Sequence, residues 1–236
     1  MSSALRTGRW RPGEVVVSDR GRRAQVRSWR GEGSYARVYL AHELPMGSPV
    51  AVKVAKTELA EAAPRLERER HVLGSVNHAR IVSLLDGGRH AGAPFLLLEW
   101  LEGETLSDLL QRKRRLPLRQ ALEYLEALCE GLAALSAAGR HHGDLRPQNV
   151  IVTARGPVLT DPGALEPGTH SQDVRGAGEL FHWMLTGAAP DPAAPRITTG
   201  AGINPRAVAL WERTQSPLPP SAAALLEEVR RLRLSL

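Results

Sequence analysis

Along the first hundred positions the apolar residues fall mostly in short, strand-length runs, and beyond them they fall in long stripes of helical period. Glu14–Val17 and Ala24–Trp29 predict strands around the turn Ser18-Asp19-Arg20-Gly21. A glycine-rich turn at Gly31–Ala36 leads to a strand at Arg37–Ala41, and a turn at Leu44–Pro49 leads to another at Val50–Val54. One helix is expected over Pro64–Val76, with proline in its first turn and Leu66, Leu73 and Val76 as its inward stripe. Glu69 falls on that stripe and Glu67 does not. Phe95–Leu98 closes the strand-rich part. Helices then follow at Leu106–Gln111, with Thr105 as N-cap, and at Pro117–Ala138, ended by Gly139. The stripe of the second is Leu118, Leu122, Leu125, Leu128, Leu132 and Leu135. A hairpin at Val150–Thr153 and Pro157–Thr160 precedes helices at Val174–Leu185, Pro205–Arg213 and Ser221–Leu234, with the irregular, Pro-rich Ala188–Pro195 between them. Strands followed by helices argue an α+β chain or two sub-domains.

Composition narrows the setting. Cys129 is the lone cysteine, so no intrachain disulfide forms, which fits a reducing cytoplasm. The first residues lack the apolar core of a signal peptide, and no apolar run is long enough to cross a bilayer. The net charge of +6 raises a nucleic-acid role, but the basic residues are dispersed apart from Arg112-Lys113-Arg114-Arg115, which reads as a solvated helix end. Residues 1–13 read as a loose basic arm. Of 31 basic side chains only Lys53, Lys56 and Lys113 are lysine, and with abundant Ala, Gly and Pro this points to a GC-rich bacterial genome. A lysine kept against that bias is a candidate for a role arginine cannot fill.

Three stretches carry chemistry. Gly31-Glu32-Gly33-Ser34-Tyr35-Ala36-Arg37-Val38 brings backbone N–H groups to a turn without a Cβ at two positions, which suits phosphate; by itself it is also an ordinary hairpin turn. Tyr35, at its tip, reads as a solvent-exposed ring. Val50-Ala51-Val52-Lys53 places a lysine on an apolar strand, and the inward Glu69 is its natural partner, since a buried carboxylate needs a cation. His142-Gly143-Asp144-Leu145-Arg146-Pro147-Gln148-Asn149, followed by Asp161-Pro162-Gly163, supplies two carboxylates, an amide and a cation in an order that suits phosphoryl transfer. The adjacent His141 and His142 lack the spacing of a metal-ligand pair.

Together these motifs resemble the eukaryotic-type serine/threonine protein kinases over nearly the whole chain. Asn77–Val82 resembles the segment after that family's αC helix, Leu97–Leu106 its hinge, and Asp173–Gly178 the helix whose Asp braces the catalytic loop. The resemblance implies a bilobal fold: an N-terminal lobe over 14–101 and a C-terminal lobe over 102–236, with ATP and Mg²⁺ between them. It implies that Lys53 holds the α- and β-phosphates and pairs with Glu69, that Asp144 is the catalytic base, that Arg146 offsets phosphate charge, and that Asn149 and Asp161 bind Mg²⁺. It further implies that Gly31 and Gly33 line the phosphates, that Val38, Ala51 and Ile151 sandwich the adenine, that Leu98 is the gatekeeper, and that Glu99 and Leu101 bind adenine through their backbone.

The chain departs from the family in four places. Ala36 replaces the third loop glycine, Gly143 replaces the arginine of His-Arg-Asp, and Pro162 replaces the phenylalanine of Asp-Phe-Gly. Only nine residues, Ala164–Gln172, separate Pro162-Gly163 from Asp173, with no Ala-Pro-Glu motif; the arginine that pairs with that glutamate is missing too, before Pro219-Pro220-Ser221. Removing both members of a buried ion pair is a consistent trimming. The favoured function is a serine/threonine kinase acting on an unidentified protein substrate through an unusual docking surface. A nucleotide-binding scaffold and a small-molecule kinase stay open as alternatives; a membrane or nucleic-acid partner is not expected.

Overall fold

A computed structural model describes residues 9–163, 169–191 and 202–236. The expectations for residues 1–8, for 164–168 of the short segment and for 192–195 of the Pro-rich stretch lie outside these residues. The chain divides into two compact units: residues up to Asn77 with Val82–Leu101, and His78–Ile81 with Glu102–Leu236. The first is β-rich and the second helix-rich, an α+β arrangement.

The first unit holds an antiparallel sheet of six strands: β1 (Val15–Val17), β2 (Arg23–Glu32), β3 (Ala36–Leu44), β4 (Pro49–Ala55), β5 (Leu84–His90) and β6 (Ala93–Glu99), in the order β1-β2-β3-β4-β6-β5. Register decides which side chains share a face. Tyr39, Val52 and Leu97 stand in one row and, with Val26, Val50, Val54 and Phe95, build a core on one face. The row beside it, Val38, Lys53 and Leu96, and the row of Leu40, Ala51 and Leu98, take the other face. Helix α1 (Ala62–Gly74) packs against β4, β5 and β6.

Four details differ from the sequence reading. Trp10 stacks on Tyr39, meets His90 and Phe95 edge-on, and donates its backbone N–H to the Tyr39 hydroxyl, so Trp10 ties the described part of the expected loose arm to the core, while Arg9 and residues 11–13 stay exposed. Strand β5 reads Leu-Leu-Asp-Gly-Gly-Arg-His, a weak strand sequence made regular by pairing with β6, with Asp86 held by the Ser18 hydroxyl at 2.6 Å. Helix α1 stops at Gly74, so Val76 lies beyond it, half-buried, and Val72 joins Leu66 and Leu73 on the buried stripe. Leu118 at the start of the next long helix is also only half-buried.

The second unit begins with β7 (Gly103–Thr105), which pairs with the hairpin β8 (Val150–Thr153) and β9 (Gly156–Leu159). Helix α2 (Leu106–Lys113) is capped by the Thr105 hydroxyl, which accepts from Asp108 N–H at 3.1 Å. Residues 111–115 at and beyond its end are exposed. Helix α3 (Leu118–Ala137) buries Leu122, Leu125, Leu128, Leu132 and Leu135 and packs on α4 (His170–Thr186), α6 (Ala222–Leu234) and β9. Helix α4 starts four residues before the expected Val174, because Thr169 and Gln172 form a capping box. Helix α5 (Pro205–Thr214) packs against α4 and α6. Arg175 of α4 donates to the carbonyls of Ser216 and Pro217, both at 3.2 Å, and so ties down the α5–α6 loop where the resembled family uses an ion pair. Among the described residues no helix is long and apolar enough to cross a membrane.

Gly178 on α4 faces Thr214 of α5 so closely that a Cβ would overlap the threonine side chain. Gly178→Ala should therefore lower the free energy of unfolding by about 1–3 kcal/mol, read from denaturant melts. An unchanged midpoint would show that the α4–α5 contact has slack.

Candidate functional site

In the first unit the site grows from strand β4. Alternation puts Ala51 and Lys53 on the face that α1 covers, and helical period puts Glu69 on the α1 stripe facing them. Lys53 is 3 % exposed and Glu69 fully buried, and Lys53 Nζ donates to Glu69 Oε2 at 2.6 Å. Each charge makes the burial of the other tolerable. The register lines Gly31 and Val38 up with Lys53, and sets Leu98 opposite Ala51 in the next row. Leu98 is buried; the Glu99 carboxylate accepts from Ser83 N–H at 2.9 Å, and Leu101 lies just past β6. Thus Gly31, Val38, Ala51, Lys53, Glu69 and Leu98 gather on one face of the sheet.

The glycine-rich turn is fastened at several points. Gly33 N–H donates to Ala36 O at 2.9 Å and Lys56 N–H to Tyr35 O at 2.9 Å. Lys56 Nζ lies 2.6 Å from Glu32, holding that carboxyl below its ordinary value, with Arg37 and Arg9 adding to the effect. A Cβ on Gly31 would meet nothing within 4 Å, and one on Gly33 only Ala36 O at 3.8 Å. Folding alone does not demand glycine at either position. Tyr35 is buried, not exposed as the sequence suggests: its hydroxyl accepts from Lys53 Nζ at 2.7 Å and donates to Glu69 Oε2 at 2.8 Å. Polar patterning could not reveal this, because a tyrosine at a turn tip is equally at home in water.

In the second unit the site is a loop braced from below. Asp173, in the first turn of α4, accepts from the backbone N–H groups of His142 at 2.8 Å and Gly143 at 2.9 Å. The buried His142 accepts at Nδ1 from Asp144 N–H at 3.3 Å, which leaves Nε2–H to donate to Thr160 O at 2.9 Å. Burial pushes its pKa below the usual histidine value, against the opposing pull of the Asp173 and Asp161 charges, so the ring is neutral. Thr160 N–H donates to Asn149 O at 2.9 Å and Gly163 N–H to His142 O at 2.8 Å, so segments 142–149 and 160–163 are laced together.

Within this frame Asn149, in a single 3₁₀ turn at Pro147–Asn149, donates from Nδ2 to Asp144 O at 2.8 Å and to Asp144 Oδ2 at 3.1 Å. Arg146 is exposed and pairs with the same Oδ2 at 3.0 Å. Asp161 takes a left-handed backbone, φ 61°, which aspartate adopts at modest cost and which marks a constrained site. Pro162 is buried. Ile151, on β8, is half-buried opposite Thr105 and Val158. Asp144, Arg146, Asn149 and Asp161 thus all belong to the one laced loop pair, while Ile151 follows on its strand.

The buried pair yields a direct test. Glu69→Ala should cost about 3–5 kcal/mol of folding stability, because it strands the Lys53 ammonium out of water. Glu67→Ala, two residues away on the same helix and exposed, should change it by less than about 0.5 kcal/mol. Equal effects in thermal or denaturant unfolding would show that the pair carries no special weight.

Comparison with known proteins agrees with this geometry. A protein kinase domain model matches residues 25–190. The chain is 38 % identical over 131 residues to the serine/threonine-protein kinase pkn2 of Myxococcus xanthus, covering 53 % of this chain and 16 % of that protein. It is 35 % identical over 140 residues to the serine/threonine-protein kinase PknA of Mycobacterium tuberculosis, covering 56 % and 32 %. It is 30 % identical over 187 residues to CBL-interacting protein kinase 30 of rice, covering 77 % and 38 %. The chain therefore spans well under half the length of these relatives. With a family model matched across most of its length and the family's residues brought together in each unit, the chain belongs to the protein kinase domain family.

Proposed function

We propose that the protein is an ATP- and Mg²⁺-dependent phosphotransferase acting on serine or threonine of a protein substrate. The observation that carries this reading is the Asp144–Asn149–Asp161 loop pair, laced together by backbone hydrogen bonds and fastened by Asp173.

The residues present suit both small-molecule partners. Asn149 spends its Nδ2 on Asp144, so its amide oxygen is turned away from that residue, and Asp161 adds a carboxylate. Two hard oxygen donors completed by phosphate oxygens suit Mg²⁺. The open space beside Gly31 and Gly33 suits the close approach of phosphate to backbone N–H groups. We assign Lys53 to the α- and β-phosphates, with Glu69 as its orienting partner, and Val38, Ala51, Ile151, Leu98, Glu99 and Leu101 to adenine. When bound, Mg²⁺ supplies charge neutralisation at the phosphates.

Asp144 is assigned the acceptor hydroxyl. Arg146 and Asn149 both engage its Oδ2, so Oδ1 is the oxygen we assign to receive the hydroxyl hydrogen bond. As the acceptor oxygen forms its bond to phosphorus and the bond to the leaving ADP oxygen breaks, the hydroxyl proton passes to Asp144. Arg146, an exposed cation beside that carboxylate, is assigned to offset charge on the phosphoryl group. Gly143 stands in place of the arginine, and the loop backbone is fastened by Asp173 and by segment 160–163, so activation through a phosphorylated segment is not part of this reading.

Two experiments test the proposal. Purified protein supplied with labelled ATP, Mg²⁺ and a generic protein acceptor should transfer label, and Asp144→Asn should lower the transfer by about 10²–10⁴-fold while nucleotide still binds. Transfer equal in wild type and Asp144→Asn removes Asp144 from the chemistry; binding without any transfer favours a nucleotide-binding scaffold. Gly33→Ala should leave stability within about 0.5 kcal/mol and yet weaken nucleotide binding. If binding is unaffected, the turn does not cradle phosphate.

A further inference from the structure

The reading above gives Lys53 to a nucleotide's phosphates, but the structure gives it to Tyr35. The tyrosine is 7 % exposed although its neighbours Gly33 and Ser34 are exposed. Its hydroxyl lies 2.7 Å from Lys53 Nζ and 2.8 Å from Glu69 Oε2, and the ammonium sits 4.7 Å from the centre of its ring. Hydroxyl and ring together cap the ammonium, which is itself 3 % exposed. With the ammonium almost wholly out of solvent and the phenol on it, a phosphate oxygen that approaches Lys53 from the turn side competes with the phenol.

The surroundings suit a movable cap. Gly31 and Gly33 precede Tyr35 in the turn, and neither is wedged against the rest of the unit. Its tie at Tyr35 O, from Lys56 N–H, is a backbone bond that fixes where the residue sits without fixing its side chain. Both arrangements satisfy the charges: with the cap closed, the phenol accepts from the ammonium and donates to the carboxylate; with it open, a phosphate oxygen accepts from the ammonium and the phenol is hydrated.

We propose that Tyr35 is a latch that competes with nucleotide phosphate for Lys53, closed without nucleotide and turned out when nucleotide binds. The proposal rests on the nucleotide-binding reading. The latch lowers nucleotide affinity by the free energy needed to open it, and so sets the nucleotide concentration at which the site fills.

The full chain has three tyrosines, Tyr35, Tyr39 and Tyr124, so 3-fluorotyrosine labelling gives three fluorine resonances, and Tyr35→Phe assigns one of them. Addition of MgADP to the labelled wild type should move the Tyr35 resonance toward that of solvent-exposed fluorotyrosine and leave the Tyr39 resonance in place. In calorimetry Tyr35→Phe, which keeps the ring and loses the hydroxyl, should bind MgADP about three- to tenfold more tightly. Saturable MgADP binding to wild type with an unmoved Tyr35 resonance overturns the latch, as does equal or weaker binding by Tyr35→Phe; either result makes Tyr35 a fixed prop of the Lys53–Glu69 pair and leaves the nucleotide reading standing. No binding to either protein removes the nucleotide reading, and the latch falls with it.

Discussion

A lysine ammonium and a glutamate carboxylate, both out of water, are the constraint around which the first unit is organised. Neither charge is tolerable there alone, since desolvating a single ion costs several kcal/mol. Their contact at 2.6 Å therefore fixes how α1 lies on the sheet: the turn of the helix that carries Glu69 must sit over the strand position that carries Lys53. That requirement selects the face of β4 the helix covers. Through register, it also determines that Gly31, Val38, Ala51 and Leu98 share the lysine's face while Tyr39, Val52 and Leu97 build the opposite core.

The second unit solves a different problem with the same economy. A loop that must present two carboxylates and an amide has few side chains with which to pack. Its order comes from backbone hydrogen bonds to one buried carboxylate, Asp173, and to a neutral histidine, His142. The capping box that starts α4 at Thr169–Gln172 places Asp173 in the first turn, where the helix dipole also favours its charge. Arg175, on the same helix, holds the α5–α6 loop through carbonyls. One helix thus anchors both the loop at His142–Gly143 and the α5–α6 loop.

The stretches whose local physics was unambiguous were legible in the sequence. The apolar stripe of α3, the Thr105 cap, the Gly139 helix end and the β8–β9 hairpin follow from period and turn chemistry alone. The inward Glu69 and the exposed Glu67 followed from helical spacing. Less legible were the segments whose order is borrowed. Strand β5 contains Asp and two glycines and exists because β6 offers it a ladder and Ser18 satisfies Asp86. Trp10 sits in a basic stretch and looked solvated, yet a cluster of Tyr39, His90 and Phe95 gives it a seat.

The sequence by itself determined the class of elements, the pairing of Lys53 with Glu69 and the order of the residues to which we assign phosphoryl transfer, because each depends on local spacing or on one charge needing its opposite. Only the tertiary structure decided where Tyr35 points, which oxygen of Asp144 its neighbours occupy and how Asp173 reaches the loop at His142 and Gly143. Those choices are made by groups distant along the chain competing for the same buried hydrogen bonds, and no local pattern records which competitor wins.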